Sequence, residues 1–359
     1  MKHFFICLLL LAISGMSQGQ TVWYDATAGS QGNDCSHFGY QAGQLSNNNN
    51  SFTNSYFGHQ AGRRHAIGFD NTYFGSLVSS WATDGGYQNT FIGSFSASST
   101  GTNFANGQRN TFFGAGAGIN SRRSSQNTYL GMEAGILDNS AFSIEYNTIA
   151  GNQSNILGGS NTNRVKNTWI GYQAGYNNNG SGNVFLGFQA GYNSTGSNQL
   201  YIDNSNTTNP LIYGNFTNNA LGINTRQLSD AGTNYTLSIN GKMRANEVKV
   251  YTGWADYVFE PGYRLRSLRQ VKRYIQQHRH LPDVPSAKEV KQQGIFVGET
   301  QATLLRKIEE LTLYMLAAHQ NTQQLQSEAK QLVASVAQLK KRLAQLHQTN
   351  ATLQTKLPK

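Results

Sequence analysis

A five-residue pattern, Asn-Thr-aromatic-apolar-Gly, returns throughout the first half of this chain and limits its possible folds more than any other feature. Copies stand at 54–58, 71–75, 89–93, 110–114, 127–131, 147–151, 167–171 and 183–187, with a degenerate first copy around His37-Phe38-Gly39. Several continue as x-x-Ala-Gly. From Gly39 the glycine-to-glycine steps are 19, 17, 18, 21, 17, 20, 20 and 16. The motif stays fixed while its spacing varies, so insertions fall in loops between motif strands. One unit is too small to bury its own apolar face and must stack on its neighbours, as in a solenoid.

The two hydrophobic positions differ. The second holds Phe57, Phe74, Ile92, Phe113, Leu130, Ala150, Ile170 and Leu186, none with a polar tip. The first holds Tyr56, Tyr73, Phe91, Phe112, Tyr129, Ile149, Trp169 and Phe185. Neighbouring side chains of a strand point to opposite faces. The second position is therefore expected to form the dry interior, with Phe57, Phe74, Ile92, Phe113, Leu130, Ile170 and Leu186 as repeat core. The first accepts Tyr and Trp, whose polar tips need partners, and is expected at a rim or subunit interface. Stacked Asn side chains are expected to form a hydrogen-bonded ladder. Glycine after the strand permits a tight or left-handed turn, and Ala-Gly a close approach of coils.

Over residues 33–200 these units resemble the head repeats of trimeric autotransporter adhesins, and repeats of phage tail-fibre and bacterial surface-fibre proteins. The resemblance implies short strands wound into a β-roll and three chains packed side by side. The period here is longer and less even, and the strands are richer in aromatics. No C-terminal β-barrel anchor pattern follows, which argues against an autotransporter export route.

Charge divides the chain in two. Residues 21–245 hold 10 Lys/Arg and 9 Asp/Glu, whereas 246–359 hold 17 and 9. Charged residues make up 13% of the whole, about half of a globular norm of roughly 25%. That composition argues against an ordinary α/β enzyme, and the aromatic content (11%) excludes a solvated disordered tract. Residues 1–20 carry a short basic start, an apolar run from Phe4 to Ile13 and a small polar stretch, the pattern of a secretory signal. The expected location is extracellular, at the outer cell surface or periplasmic. No other run approaches the ~20 apolar residues of a membrane span. Cys7 lies in the leader and Cys35 is then a lone thiol, so disulfides do not hold the fold.

The repeat region is set at 21–200, a β-rich neck at 201–252, a small α+β module at 253–300 and a coiled coil at 301–359. In the neck, 235–242 alternates before Asn240-Gly241 and is expected to form a hairpin. Ser267 is positioned to cap a helix with Leu268, Val271, Tyr274 and Ile275 on one face. The run His280-Leu281-Pro282-Asp283-Val284-Pro285 ends it, and Ser286 with Glu289 has capping-box spacing for a second helix closing at Gly294. From Leu304 the apolar spacing alternates four and three. Leu304, Leu311, Leu325, Leu332, Leu339, Leu346 and Leu353 lie in one column with Ala318. Ile308, Met315, Val336 and Leu343 lie in the other, with Ala329, Leu357 and polar Thr322 and Asn350. Seven heptads predict a left-handed parallel coiled coil, with these side chains as its oligomerisation core. The fibre-like repeat upstream favours a trimer over a dimer.

Residues 254–259, 280–290 and 305–314 resemble a C-terminal module common in secreted proteins of Bacteroidota. In layout it is similar to the intramolecular chaperone domain of tail spikes, the S74 peptidase family, which trimerises a β-fibre and then cuts itself off. That family uses a Ser-Lys pair in Ser-Asp-x-Arg-Leu-Lys, where this chain has Ala255-Asp256. The resemblance implies an assembly role and argues against self-cleavage. Other chemical readings are weaker. Ser286 and Lys288 read better as a helix cap and a solvated lysine than as a nucleophile and base. His278, His280 and Asp283 lack the three or four convergent ligands plus support of a metal site. The basic run 264–279 reads as a solvated helix face in an exported chain, so no nucleic-acid partner is expected. Lys340-Lys341-Arg342 sits inside the heptads, unlike the basic region of a zipper.

The expectation is a mainly β solenoid, a small α+β module and a coiled coil, acting as a secreted or surface fibre that binds copies of itself. No catalytic, cofactor-binding or metal-ligating residue is assigned. The alternatives are a glycan- or surface-binding repeat module, with an extracellular glycan or a host or surface receptor as partner, and a self-cleaving chaperone of the S74 type.

Overall fold

The structure is a computed structural model and describes residues 22–23, 35–45, 51–81, 84–98, 107–121, 124–136, 144–154, 163–254 and 256–354. The leader assigned to 1–20 and Ala255 lie outside them. The chain divides into two compact units, Met1–Arg244 and Ala245–Lys359.

The first unit is a β-solenoid of about nine turns. Its motif strands are Ser36–Phe38, Ser55–Phe57, Thr72–Phe74, Thr90–Ile92, Thr111–Phe113, Thr128–Leu130, Thr148–Ala150, Thr168–Ile170 and Val184–Leu186. Each lies parallel to the next in one sheet, with equivalent residues paired: Tyr56 with Tyr73, Phe91 with Phe112, Tyr129 with Ile149. The variable spacing therefore leaves the register untouched. Strands of two to four residues before the motif form two further parallel sheets, one of Ser51–Phe52, Ile67–Phe69 and Asp84–Tyr87, the other of Ser124–Ser125, Ile144–Glu145 and Arg164–Val165.

Each coil turns at two left-handed corners. One is the residue before the motif Asn, with φ of 58–61° at Thr53, Asp70, Gln88, Arg109, Gln126, Tyr146 and Lys166. The other precedes the Ala of Ala-Gly, as at Gln60, Glu133 and Gln173. The glycine requirements show in the coil of Tyr129. Gly131 has φ +130° and an added Cβ would stand 2.6 Å from the Gly151 carbonyl oxygen of the next coil. Gly135 has φ +66° and its Cβ would stand 2.5 Å from the Tyr129 ring. The Ala-Gly glycine thus makes room for the inner aromatic ring.

Residues 199–239 extend the main sheet beyond the repeats. Gln199–Ile202 adds a further parallel strand, Ile212–Asn215 reverses direction, and Ala220–Ile223 follows antiparallel. Leu237–Ile239 pairs parallel to Ala220–Ile223, so the hairpin expected at 235–242 does not form. The hairpin lies just upstream, between Ser229–Asp230 and Thr233–Asn234, where Ala231 and Gly232 take the positive φ its turn needs.

The second unit holds α1 (Leu268–His278), α2 (Ala287–Gln293) and α3 (Val297–Gln354). Ser267 and Ser286 form complete capping boxes with Gln270 and Glu289, and Arg279 (φ 64°) and Gly294 (φ 71°) close the two short helices. The cap at Ser267, the capping box of Ser286 with Glu289 and the exit at Gly294 follow the sequence signals. Helix α3 runs 58 residues, about 87 Å at 1.5 Å per residue.

Candidate functional site

The inward and outward positions of the motif strand are the reverse of the sequence expectation. Tyr56, Tyr73, Phe91, Phe112, Tyr129, Ile149, Trp169 and Phe185 are buried, whereas Phe74, Phe113, Leu130, Ile170 and Leu186 are exposed and Phe57 and Ile92 half-exposed. Phe112 keeps 1% of its surface and its neighbour Phe113 keeps 56%. The reason is the strand period of two. The Asn side chains face inward, and the first hydrophobic position, two residues on, shares their face.

The interior combines two columns. Rings stack at the inter-strand spacing, with centroids 5.0 Å apart for Tyr73–Phe91, 4.8 Å for Phe91–Phe112 and 4.5 Å for Phe112–Tyr129. Each such pair adds about 0.5–1.5 kcal/mol beyond burial. Two polar tips inside share one partner: the Tyr56 hydroxyl shares a hydrogen bond with His65 Nδ1, and Tyr73 meets His65 Nε2 at 3.3 Å. Among the described residues the buried Tyr129 hydroxyl and Trp169 Nε1 have no hydrogen-bond partner. Burial pushes the Tyr56 and Tyr129 phenols well above their ordinary range.

Beside the rings runs the Asn ladder: Asn54, Asn71, Asn89, Asn110, Asn127 and Asn147, continuing through Asn167 to Asn183. From Asn71 to Asn147, each side-chain oxygen accepts two bonds from the following Asn or, at Asn147, its backbone N–H alone. Each Nδ2 in that stretch also donates to a carbonyl in the preceding short segment of the next coil, such as Gly86, Gly107, Ser124, Ile144 or Arg164. An amide has two donors and two acceptor sites, and Asn71, Asn89, Asn110 and Asn127 use all four.

Two apolar surfaces are left open. The first is the outward column of the solenoid from Phe38 to Leu186, where Phe38 and Phe57 stack face to face at 4.8 Å. The second is the heptad seam of α3. Leu304, Ile308, Leu311, Met315, Leu325, Leu332, Val336, Leu339, Leu343, Leu346 and Leu353 are all exposed in the single chain.

Around the start of α3 a polar clamp fixes the turn 280–285. Asp283, at φ 64°, contacts Arg266 at 3.2 Å, Lys307 at 3.2 Å and Arg306 at 3.7 Å. Partial burial works to raise its carboxyl, but Lys307, Arg266 and Arg306 outweigh it and hold the group below its ordinary range. Lys307 also reaches Glu310 at 2.9 Å, Tyr263 donates to Glu310 at 2.6 Å, and the Tyr314 hydroxyl donates to the Arg266 carbonyl. Burial, then the bond to Glu310, pushes the Tyr263 phenol up to about 12.

The clamp engages the residues singled out for other chemistry. Asp283 is occupied by three cations, and His278 and His280 pack on Tyr274 at 4.2 and 5.6 Å. Among the described residues no group of three or more His, Cys, Asp or Glu side chains could hold a metal ion. Ser286 caps α2, its hydroxyl donating to Glu289 at 2.8 Å. Sequence reasoning missed the clamp, because Arg266, Asp283 and Lys307 lie far apart in the chain. It also missed the outward apolar column. Among the described residues no helix is long and apolar enough to cross a membrane. Scans of protein-family models, curated proteins and solved structures find no match to this chain.

Proposed function

We propose that this chain is an exported, oligomeric fibre protein in which the solenoid is the shaft and the C-terminal unit drives assembly. The observation that carries this reading is the open seam of α3. From Leu304 to Leu353 apolar side chains recur at heptad spacing on a helix that no described residue covers along most of its length. Soluble chains rarely expose apolar patches beyond a few hundred Å² without a partner. A straight helix drifts about 20° per heptad from such a seam, so covering it calls for a supercoiled partner of the same period. The chain itself supplies one.

The outward column of the solenoid supports the same reading as a second apolar face, and three copies in parallel suit a fibre whose coils all stack in one direction. A glycan-binding array draws less support. The first-position aromatics, such as Tyr56, Tyr73, Phe91 and Phe112, are buried inside the coils and present no ring to a ligand. Export rests on residues 1–20, an assembly role without self-cleavage on Ala255 and on the clamp.

Sedimentation equilibrium of the chain at micromolar concentration tests the central claim. A trimer is expected, and Val336→Asp with Leu343→Asp should dissolve it. A monomeric wild-type chain overturns the reading. Intact mass of the exported product checks the rest: loss of about the first 20 residues is expected, and a cut near Trp254 would restore the self-cleaving alternative.

A further inference from the structure

Helix α1 is a puzzle within one chain. It has an apolar face and a complete N-terminal cap, yet none of its residues is buried, and Leu268 keeps 62% of its surface. Helices of 11 residues are marginal without packing. Its apolar face, Leu268 and Val271, forms one wall of a groove of about 440 Å³. Leu281 closes one side, and Leu304, Ile308 and Leu311 line the rest. Those last three are also the first heptad positions of the seam.

We propose that this groove seats α3 of a second copy of the chain, so that the seam begins as a helical bundle walled by α1 and continues as a coiled coil. The proposal rests on the oligomeric reading and specifies where the partner helix enters. Three observations favour a second copy as occupant. The heptad register runs without a break from Leu304 to Leu353, and α3 has no positive-φ residue or proline along that length to divert a partner. A helix following the seam is thereby led into the groove. The charges at its lip are already paired within the chain, Lys307 with Glu310 and Arg266 with Asp283, so the occupant must be apolar rather than anionic. The wall is also preformed, since Tyr314 and Asp283 fix Arg266 directly before α1. A preformed wall lowers the ordering cost of association.

Disulfide trapping in the full chain tests this, with Cys7→Ser and Cys35→Ser throughout. Two differently tagged chains are co-expressed, one carrying Leu268→Cys and the other Ile308→Cys or Leu304→Cys, the two partners covering a one-turn offset. Any disulfide joining the two tags is intermolecular. A chain carrying Leu339→Cys reports the seam independently through its own dimeric band. The expected result is a mixed-tag band for at least one Leu268 pairing, together with the Leu339 band. A Leu339 band without either Leu268 band overturns the groove proposal and leaves the oligomer standing. Absence of all bands, with a monomer in sedimentation, removes both.

Discussion

Replacing Asn127 by Ala probes the solenoid at the point where most of its order converges. The Asn127 Nδ2 donates to Asn110 Oδ1 at 3.1 Å and to the Ile144 carbonyl at 2.8 Å. Its Oδ1 accepts from the Asn147 backbone N–H and from Asn147 Nδ2, both at 3.0 Å. Alanine removes four bonds, each worth about 0.5–1.5 kcal/mol net, for a loss of about 2–6 kcal/mol. Four groups lose that partner: the Asn147 N–H, one hydrogen of its Nδ2, the Ile144 carbonyl and Asn110 Oδ1, the last still accepting from the backbone N–H of residue 127. Because repeat arrays are held by nearest-neighbour terms, the loss weakens the junction between two coils rather than the whole array evenly.

Denaturant unfolding followed by circular dichroism should show a lower midpoint. Amide hydrogen exchange should show faster exchange at Asn147 than in the wild type, with coils several turns away less affected. A loss under about 1 kcal/mol with Asn147 still protected would refute the assignment of stability to the ladder. Asn127→Asp sharpens the test. An ionised Asp keeps the acceptor but places a second oxygen against Asn110 Oδ1 and the Ile144 carbonyl. Only the protonated form can donate to either, so the folded pKa of the new group rises above its unfolded value of about 3.9. The variant should be most stable below that unfolded value and lose stability as pH rises through the folded one. A destabilisation independent of pH would count against the oxygen–oxygen account.

Other expectations follow from the same geometry. Gly135→Ala should destabilise by about 1–3 kcal/mol through its positive φ and the Tyr129 ring, and a cycle with Tyr129→Val should show coupling; strict additivity would refute the packing claim. Phe112→Ala should cost about 3–5 kcal/mol in folding, while Phe113→Ala, measured in dilute unassociated protein, should stay within about 0.5 kcal/mol; equal losses would contradict the inward assignment. The depressed Asp283 carboxyl contributes stability above its unfolded pKa of about 3.9 that is lost as pH falls through its lower folded value. Hydrogen exchange at the start of α3 should therefore quicken in acid, and Asp283→Asn should abolish that dependence. On the alkaline side, the raised Tyr263 phenol contributes stability below its unfolded pKa of about 10 that is lost as pH rises toward about 12; Tyr263→Phe should flatten that limb.

Local rules were readable where the signal is local. The capping boxes at Ser267 and Ser286 need only residues three apart, and both form. The repeat fixed which strands pair, because a motif constant in sequence is constant in register. The facing of the strand was misjudged for a physical reason. Chemical type alone ranks Phe57 as more interior than Tyr56, but a phenol can be buried when a partner such as His65 stands nearby. The deciding relation was period two between Asn54 and Tyr56: a ladder of amides inside the coil carries the next-but-one side chain inside with it. The glycine of Ala-Gly gives the same answer, since it makes room for an inner ring. The Asp283 clamp had no comparable signal. It joins residues up to 48 apart, as in Tyr314 to Arg266, and only the folded turn brings them together.

The scarcity of charge in the first half follows from what each coil position demands. The motif Asn must both donate and accept, the next-but-one residue must fill the interior, and the terminal glycine must admit a neighbouring carbonyl. Those positions exclude ions. The left-handed corner before each Asn demands only a backbone conformation, which costs an ordinary residue roughly 1–2 kcal/mol, and its side chain points away from the ladder. Charges accordingly appear there, as Asp70, Arg109 and Lys166, and at the second corner as Glu133. The Asn that follows each such corner helps to offset its strain by closing the ladder one residue later. Corner and Asn thus act as a pair: the corner is free in identity because the amide beside it is not. A chain built this way is low in charge because its repeat leaves few places for ions.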